Sequence, residues 1–401
     1  MRGHFVSLTW EHDPTLYAPA RYRRACKYDA FVPLPLAGAD LNCDAQLTGL
    51  LSDAERALQH LGSGGESLAP LARLLLRTES IASSKVEGLH VDVRELARGE
   101  ARADTTGKVS PTTLEVLANI DAMELAIHEA TATRRFTPEQ IVSIHRLLMA
   151  GAPNAHVAGR VRTGQNWIGG NDYNPCGADF VPPPPEHVAP LLDDLCEAIN
   201  DESLAPLAQA ALVHAQFETI HPFDDGNGRT GRALIHVVLR RRGLTPSFVP
   251  PISVEFARAR DRYISGLTAY RRGDVAAWLE HFVGAAARAA HLADAYLGAV
   301  ASLREEWRTR LAGGPSPRSD AAAWAVIDVL PAHPVITAAV ACAATGRAKA
   351  AVHMALDQLA EADVLVPLSG GRRNRSWEAA GLLDLIAELE AGQNPGRAVR
   401  G

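Results

Sequence analysis

The densest chemistry in the chain is a run of twelve residues, HPFDDGNGRTGR, from His221 to Arg232. The imidazole of His221, with an ordinary pKa of about 6.5, can accept a proton near neutrality. Asp225 offers the hard carboxylate oxygen that a phosphate-bridging Mg²⁺ needs. Gly226 and Gly228 permit close backbone approaches that other residues resist, and with Asn227 between them successive N–H groups can form an anion nest. Arg229 and Arg232 are three apart, so both fall on one helix face, where their guanidinium forks can grip phosphate oxygens. A base, a metal ligand, an anion nest and two arginines in so short a span describe phosphoryl or nucleotidyl transfer.

These residues need a turn that opens a helix. The flanking runs LAQAALVHAQFETI and ALIHVVL are apolar and helical in pattern, which puts the motif between two buried helices and its anion nest at a helix N-terminus. The second helix ends at Arg240-Arg241-Arg242-Gly243, cations followed by a glycine. The segment GNGRTG, which includes Thr230 and Gly231, also fits the dinucleotide fingerprint GxGxxG. That fingerprint requires a preceding strand and an acid about 20 residues later. Here the preceding segment is helical, and no acid occurs between Asp225 and Glu255. No GxxxxGK[ST] is present either, so a P-loop is excluded.

Along the rest of the chain, residues 1–45 read as an irregular, Pro-punctuated arm. Helical patterns follow at 47–61 and 71–86, then a polar, Gly-containing stretch through 97–111. A long helical block resumes near Thr112. Thr137-Pro138-Glu139-Gln140 has the signature of a helix start. Residues 151–185 break the rhythm and suggest a hairpin flap closed by Pro182 to Pro185. Further helices are expected at 187–200, 205–219, 230–242, 253–271 and 274–310. After a linker at 311–318 come helices at 320–330, 337–345 and 347–362, then two strands around a Gly-Gly-Arg-Arg turn, which is winged-helix order. The expected fold class is mainly α, with a short β-hairpin flap.

HPFDDGNGRTGR resembles the motif of the Fic family, HPFx[D/E]GNGRxxR, at every specified position, and the likeness extends over the roughly 300 residues before the linker. The flap GRVRTGQNWIGG…FVPPPP and the N-terminal FVPLP…LLSDAERALQHL are similar to the corresponding Fic segments. The resemblance implies a helical N-terminal region (1–110) and a catalytic core (111–310, its Fido domain about 136–287); beyond the linker the element order itself suggests a winged-helix-like domain (319–392) and then a disordered tail (393–401). It also implies ATP and Mg²⁺ as cofactors and transfer of AMP to a Ser, Thr or Tyr hydroxyl of a protein. On that likeness His221 is the general base and Asp225 the Mg²⁺ ligand. Gly226, Asn227, Gly228, Arg229, Thr230, Gly231 and Arg232 bind phosphate, and the flap (about 161–172) clamps the target by strand addition. Where the family has Tyr-Tyr near the nucleotide, this chain has Tyr263-Ile264, so only Tyr263 carries over. Arg271 stands where some relatives have Asn.

A second likeness is Ser83-Ser84-Lys85-Val86-Glu87-Gly88, which is similar to the family's inhibitory helix, [S/T]xxxE[G/N] (about 71–88). It makes Ser83 and Glu87 inhibitory residues. A carboxylate paired with Arg232 would compete with the γ-phosphate for the same guanidinium fork. The other helical histidines, His145, His214 and His236, read as structural, and Trp167 as a flap packing residue.

The C-terminal segment carries Arg347, Lys349, Arg372, Arg373 and Arg375. These suit either DNA phosphates or a protein contact. Two functions therefore stay open: an autoinhibited protein adenylyltransferase, able to modify itself and to form homodimers, or a DNA-binding regulator whose Fic domain senses nucleotide. Relatives with the same motif also use other nucleotides or remove AMP.

Composition sets the outer bounds. The chain has 401 residues, 47% hydrophobic and 21% charged, with a net charge of −6, which excludes disordered and disulfide-scaffold classes and any global basic footprint. Five cysteines without a CxxC fit a reducing compartment, and no apolar run reaches about 18 residues, so the expectation is a cytoplasmic protein without a membrane span.

Overall fold

The structure is a computed structural model that describes residues 3–15, 17–62, 69–103, 109–314, 318–368 and 375–395. Its helices are α1 (Ala45–Gly62), α2 (Ala69–Val86), α3 (Val93–Ala103), α4 (Pro111–Ala132), α5 (Pro138–Met149), α6 (Pro185–Asn200), α7 (Pro206–Ile220), α8 (Asn227–Arg241), α9 (Ile252–Arg258), α10 (Arg260–Arg271), α11 (Val275–Ala312), α12 (Ala322–Val329), α13 (Ala338–Thr345), α14 (Lys349–Glu361) and α15 (Leu382–Glu390). The strands are β1 (Gly3–Trp10), β2 (Cys26–Pro33), β3 (Val335–Thr337), β4 (Leu365–Pro367) and β5 (Ser376–Ala379). The fold is mainly α, as expected. Among the described residues no helix is long and apolar enough to cross a membrane.

The chain divides into two compact units. The first comprises Met1–Glu55, Ala122–Leu244 and Arg260–Gly284. Its centre is α7, in which every residue from Leu207 to Ile220 is buried. A helix buried on all sides belongs in the middle of a helical layer, and α6, α8 and α10 pack around it. α5 starts where Thr137-Pro138-Glu139-Gln140 placed it, and the start is fixed by a capping box between Thr137 and Gln140.

Two expectations fail in this unit. Residues 1–45 are not an irregular arm: β1 and β2 form an antiparallel ladder from Gly3↔Pro33 to Trp10↔Cys26. The alternation HFVSLTW was short enough to pass as irregular, but its β-branched and aromatic residues suit a pleated surface. The flap doubles back as expected, its arms joined by an antiparallel Ile168↔Phe180 bridge, though neither extends into a regular strand. It has one other isolated bridge, Val161↔Phe223, and its backbone is otherwise irregular. Cys26 and Cys176, expected as free thiols, are disulfide-bonded with their Cα atoms 6.3 Å apart, tying β2 to the flap.

The second unit comprises Arg56–Asp121, Thr245–Ala259 and Ala285–Gly401. Its core gathers Trp307, Trp377, Tyr296 and the apolar faces of α2, α12, α14 and α15. Glu79 on α2 lies at the start of α9, where it accepts bonds from the Ser253 N–H (2.8 Å) and hydroxyl (2.5 Å). A carboxylate at that end complements the helix dipole. The three-stranded sheet has the order β3-β5-β4, antiparallel throughout. The sequence pattern missed β3, α15 and α3, the last lying where a polar loop was expected. It also merged α9 and α10, which are separated at Ala259 (φ −126°, ψ 51°). Arg372, Arg373, residues 315–317 of the linker and residues 396–401 of the tail lie outside the described residues.

Candidate active site

The motif turn is built from α7 outward. The helix ends at His221, whose backbone is left-handed (φ 49°, ψ 61°), a conformation that costs a non-glycine residue roughly 1 kcal/mol. The flap offsets that cost. Arg162 Nε (2.9 Å) and Asn166 Nδ2 (3.1 Å) both donate to the His221 carbonyl. Arg162, only 3% exposed, also donates to the carbonyls of Gly164 and Pro183, and Asn166 to that of Phe223.

On the other side, Asn227 staples the turn. Its Oδ1 accepts from the Phe223 N–H (3.0 Å) and its Nδ2 donates to the Phe223 carbonyl (2.8 Å). Gly226 sits at φ 77°, and a Cβ there would lie 2.5 Å from the Met149 sulfur. Here the glycine is required twice over, by conformation and by space.

His145 fixes the metal-ligand candidate. Its Nδ1 accepts from the Gly159 N–H (2.9 Å), so Nε2 carries the proton and donates to the Asp225 carbonyl (2.9 Å). The ring stacks on Phe223 at 3.7 Å, and burial pushes its pKa down to about 4, keeping it neutral. The Asp225 carboxylate accepts from Asn154 Nδ2 and from the Gly226 N–H (2.6 Å). Among the described residues no cluster of three or more His, Cys, Asp or Glu could enclose a metal.

The His221 ring remains partly open, with its side chain 19% exposed. Glu218, one turn earlier on α7, holds Oε2 3.9 Å from the ring's Nδ1. Desolvation first, and then the guanidiniums of Arg271 and Arg162, push the imidazole's pKa down to about 3. It is therefore a neutral base at physiological pH. Arg271 donates to the Glu218 carbonyl (3.1 Å) and stacks over Phe180 at 3.7 Å.

This geometry matches what similarity searches return. Residues 135–239 match the Fic/DOC family, and residues 48–128 match the Fic/DOC family N-terminal region. The chain carries a Fic/DOC domain. The protein adenylyltransferase fic-1 of Caenorhabditis elegans is 33% identical over 140 residues, 34% of this chain and 24% of that protein. The protein adenylyltransferase Fic of Drosophila willistoni is 29% identical over 195 residues, 47% of this chain and 36% of that protein. The chain thus spans between a quarter and a little over a third of these relatives' length. In fold, it is similar to a Fic family protein of Desulfovibrio desulfuricans G20 (TM-score 0.53, 20% identity, covering 85% of this chain and 98% of that one).

Within the Fic domain the residues singled out from sequence divide into two groups. His221, Asp225 and Gly226 share the turn, with Asn227, Gly228, Arg229 and Arg232 on the helix it opens, where Arg229 and Arg232 are buried (6% and 0% exposed). Thr230, Gly231 and Tyr263 turn inward. The Thr230 N–H and hydroxyl both bond the Gly226 carbonyl (3.1 and 2.9 Å). A Cβ on Gly231 would meet Glu218 Oε1 at 2.6 Å and Phe217 at 2.9 Å, so Gly231 lets α8 close on α7. The Tyr263 hydroxyl lies 2.9 Å from His214 Nε2, in a buried stack with Trp278. Trp167 packs edge-on against Trp10 at 5.6 Å.

Sequence reasoning missed Arg162, Asn166, Asn154 and Glu218. Glu218 lies three residues before the motif histidine, a spacing that puts it on the same helix face. The flap residues gave no local signal, because their partners are 55 to 71 positions away.

In the second unit, α2 ends in a full Schellman motif. The Leu89 N–H bonds the Ser84 carbonyl (3.1 Å) and the Gly88 N–H bonds the Lys85 carbonyl (3.0 Å), with Gly88 at φ 86°. Glu87 is the capping residue and is exposed; Ser83 is buried. In the C-terminal segment Arg375 is engaged by Asp357 (2.9 Å) and by the face of Trp377.

Proposed function

We propose that this chain transfers AMP from ATP to a hydroxyl side chain of a protein. The observation that carries the reading is a neutral, half-open His221 held in a left-handed turn directly before a helix N-terminus with Asp225, Arg229 and Arg232. His221 removes the hydroxyl proton as the oxygen attacks the α-phosphorus, and pyrophosphate departs. Glu218, 3.9 Å from Nδ1, favours the imidazolium that forms. Arg229, Arg232 and the N–H groups at the start of α8 hold the phosphates and align the α-phosphorus.

The site suits one Mg²⁺. A single hard carboxylate, that of Asp225, fits an ion that keeps several waters and takes the rest of its ligands from nucleotide phosphates. When bound, the ion would neutralise charge on those phosphates.

Glu87 is proposed as the brake, acting on Arg232. Its position supports this: an acid at the negative end of α2 opposes the helix dipole, so it contributes nothing to helix stability there. The segment 319–392, with its helices α12 to α14 and sheet β3-β5-β4, is proposed to be a winged-helix-like module.

The test is intact-mass spectrometry after incubation with ATP and Mg²⁺. Glu87→Gly should gain AMP-sized mass on itself or on added proteins, wild type much less, and Glu87→Gly/His221→Ala none. A coupling of about 1–3 kcal/mol corresponds to a 5–150-fold release. Equal labelling of wild type and Glu87→Gly would remove the brake. Labelling that persists without His221 would remove the mechanism.

A further inference from the structure

The second unit contains a cavity of about 680 Å³ that the Fic chemistry does not use. Most of its wall is apolar, from Leu74, Leu117, Ile120, Val335 and Val340. Arg77 of α2 also lines it, although Arg77 is only 6% exposed. A guanidinium taken out of water normally has all its donors satisfied. The Arg77 Nη1 is, by Glu100. Among the described residues its Nε and Nη2, both buried, have no hydrogen-bond partner.

Those two atoms form one edge of the guanidinium, the edge that binds a carboxylate or phosphate through two parallel hydrogen bonds. Arg73 adds a second positive charge at the exposed side of the same cavity, and His333 lines its floor. An orphaned bidentate edge with an added cation, in a wall that is mostly apolar but also carries Glu100, Asp121 and Thr337, fits one class of ligand. That class is a small organic oxyanion with an apolar body.

We infer that this cavity is a binding site for such an amphipathic acid, a carboxylate or phosphomonoester, anchored on the Nε–Nη2 edge of Arg77. Glu100 holds the guanidinium from its other end and keeps the edge turned one way. The leucine and valine side chains take the body of the ligand, and Arg73 favours entry of an anion. The inference is independent of the adenylyl-transfer reading, since none of these residues belongs to the Fic motif.

Calorimetric titration of the full chain with benzoate, phenyl phosphate and inorganic phosphate tests it. Benzoate or phenyl phosphate should bind one to one, and more tightly than inorganic phosphate, which lacks the apolar body. Arg77→Met should weaken that binding at least tenfold. Ala344→Trp, an exposed wall position where an indole would take up part of the cavity, should weaken it as well and decides the matter if Arg77→Met does not fold. Failure of all three probes to bind at millimolar concentration would overturn the inference. So would binding that Ala344→Trp leaves intact. A preference for carboxylate or for phosphomonoester would identify the source of the oxyanion.

Discussion

The motif turn 221–226 hangs between two buried helices, whereas the flap 161–180 has no helix or regular strand of its own. The turn is held by groups close in sequence: the Phe217 carbonyl, Asn227 and Gly226. The flap is held by groups far away: the carbonyls of His221 and Phe223, Cys26 and Trp10. Yet the flap carries the donors that fix the carbonyl of His221. One region therefore supplies the reactive groups and the other supplies their orientation. The difference can be attacked from either side.

The largest effect should come from the turn. His221→Ala removes the base and should lower transfer by roughly 10²–10⁴-fold, with little change in thermal stability because the ring is partly exposed. Single-turnover AMP transfer in the Glu87→Gly background measures it. A loss of less than tenfold would assign the proton to another acceptor.

Arg162→Met attacks the flap and should lower both activity and stability. It leaves the carbonyls of His221, Gly164 and Pro183 without a charged donor in a buried setting. Each such loss costs about 1–3 kcal/mol, so a destabilisation of roughly 3 kcal/mol or more is expected by denaturant unfolding. Transfer should fall further than the folded fraction does. If activity per folded molecule stayed at the wild-type level, the flap would not orient His221.

This contrast also explains what could be read from the sequence. The chemistry of the turn was legible because base, carboxylate, glycines and arginines lie within twelve residues and the flanking apolar runs allow only a helix–turn–helix arrangement. The roles of Thr230, Gly231 and Tyr263 were not, because spacing on a helix does not say which neighbour a face meets; α7 and His214 occupy those faces. The β1–β2 ladder and the Cys26–Cys176 pair escaped for a related reason. Their partners are distant in sequence, and no local pattern encodes a contact across 150 positions.

Gly231→Ala should have a smaller and purely structural effect. The new methyl would meet Glu218 and Phe217 under 3.0 Å, so α8 must shift from α7 at about 1–3 kcal/mol. Because Glu218 faces His221, the shift should lower transfer modestly while ATP affinity holds. A drop in ATP affinity with the rate unchanged would return Gly231 to the phosphate-binding set.

The smallest change is expected from pH, and its absence is informative. An ordinary histidine base, with a pKa near 6.5, would lose about tenfold in kcat/KM between pH 7.5 and 5.5. His221 has its pKa pushed down to about 3, so its neutral form persists as the pH falls and kcat/KM should stay level over that range. The comparison must be made per folded molecule, because His145 and His214 are held neutral with pKa values of about 4 and 3. The unfolded chain binds protons at those sites below about 6.5 while the folded one does not, so stability falls as the pH drops from there toward 4. A rate midpoint near 6.5 that survives this correction would mean that water reaches the His221 ring freely. Burial of the ring and the charges of Arg271 and Arg162 would then be too weak to set its protonation state.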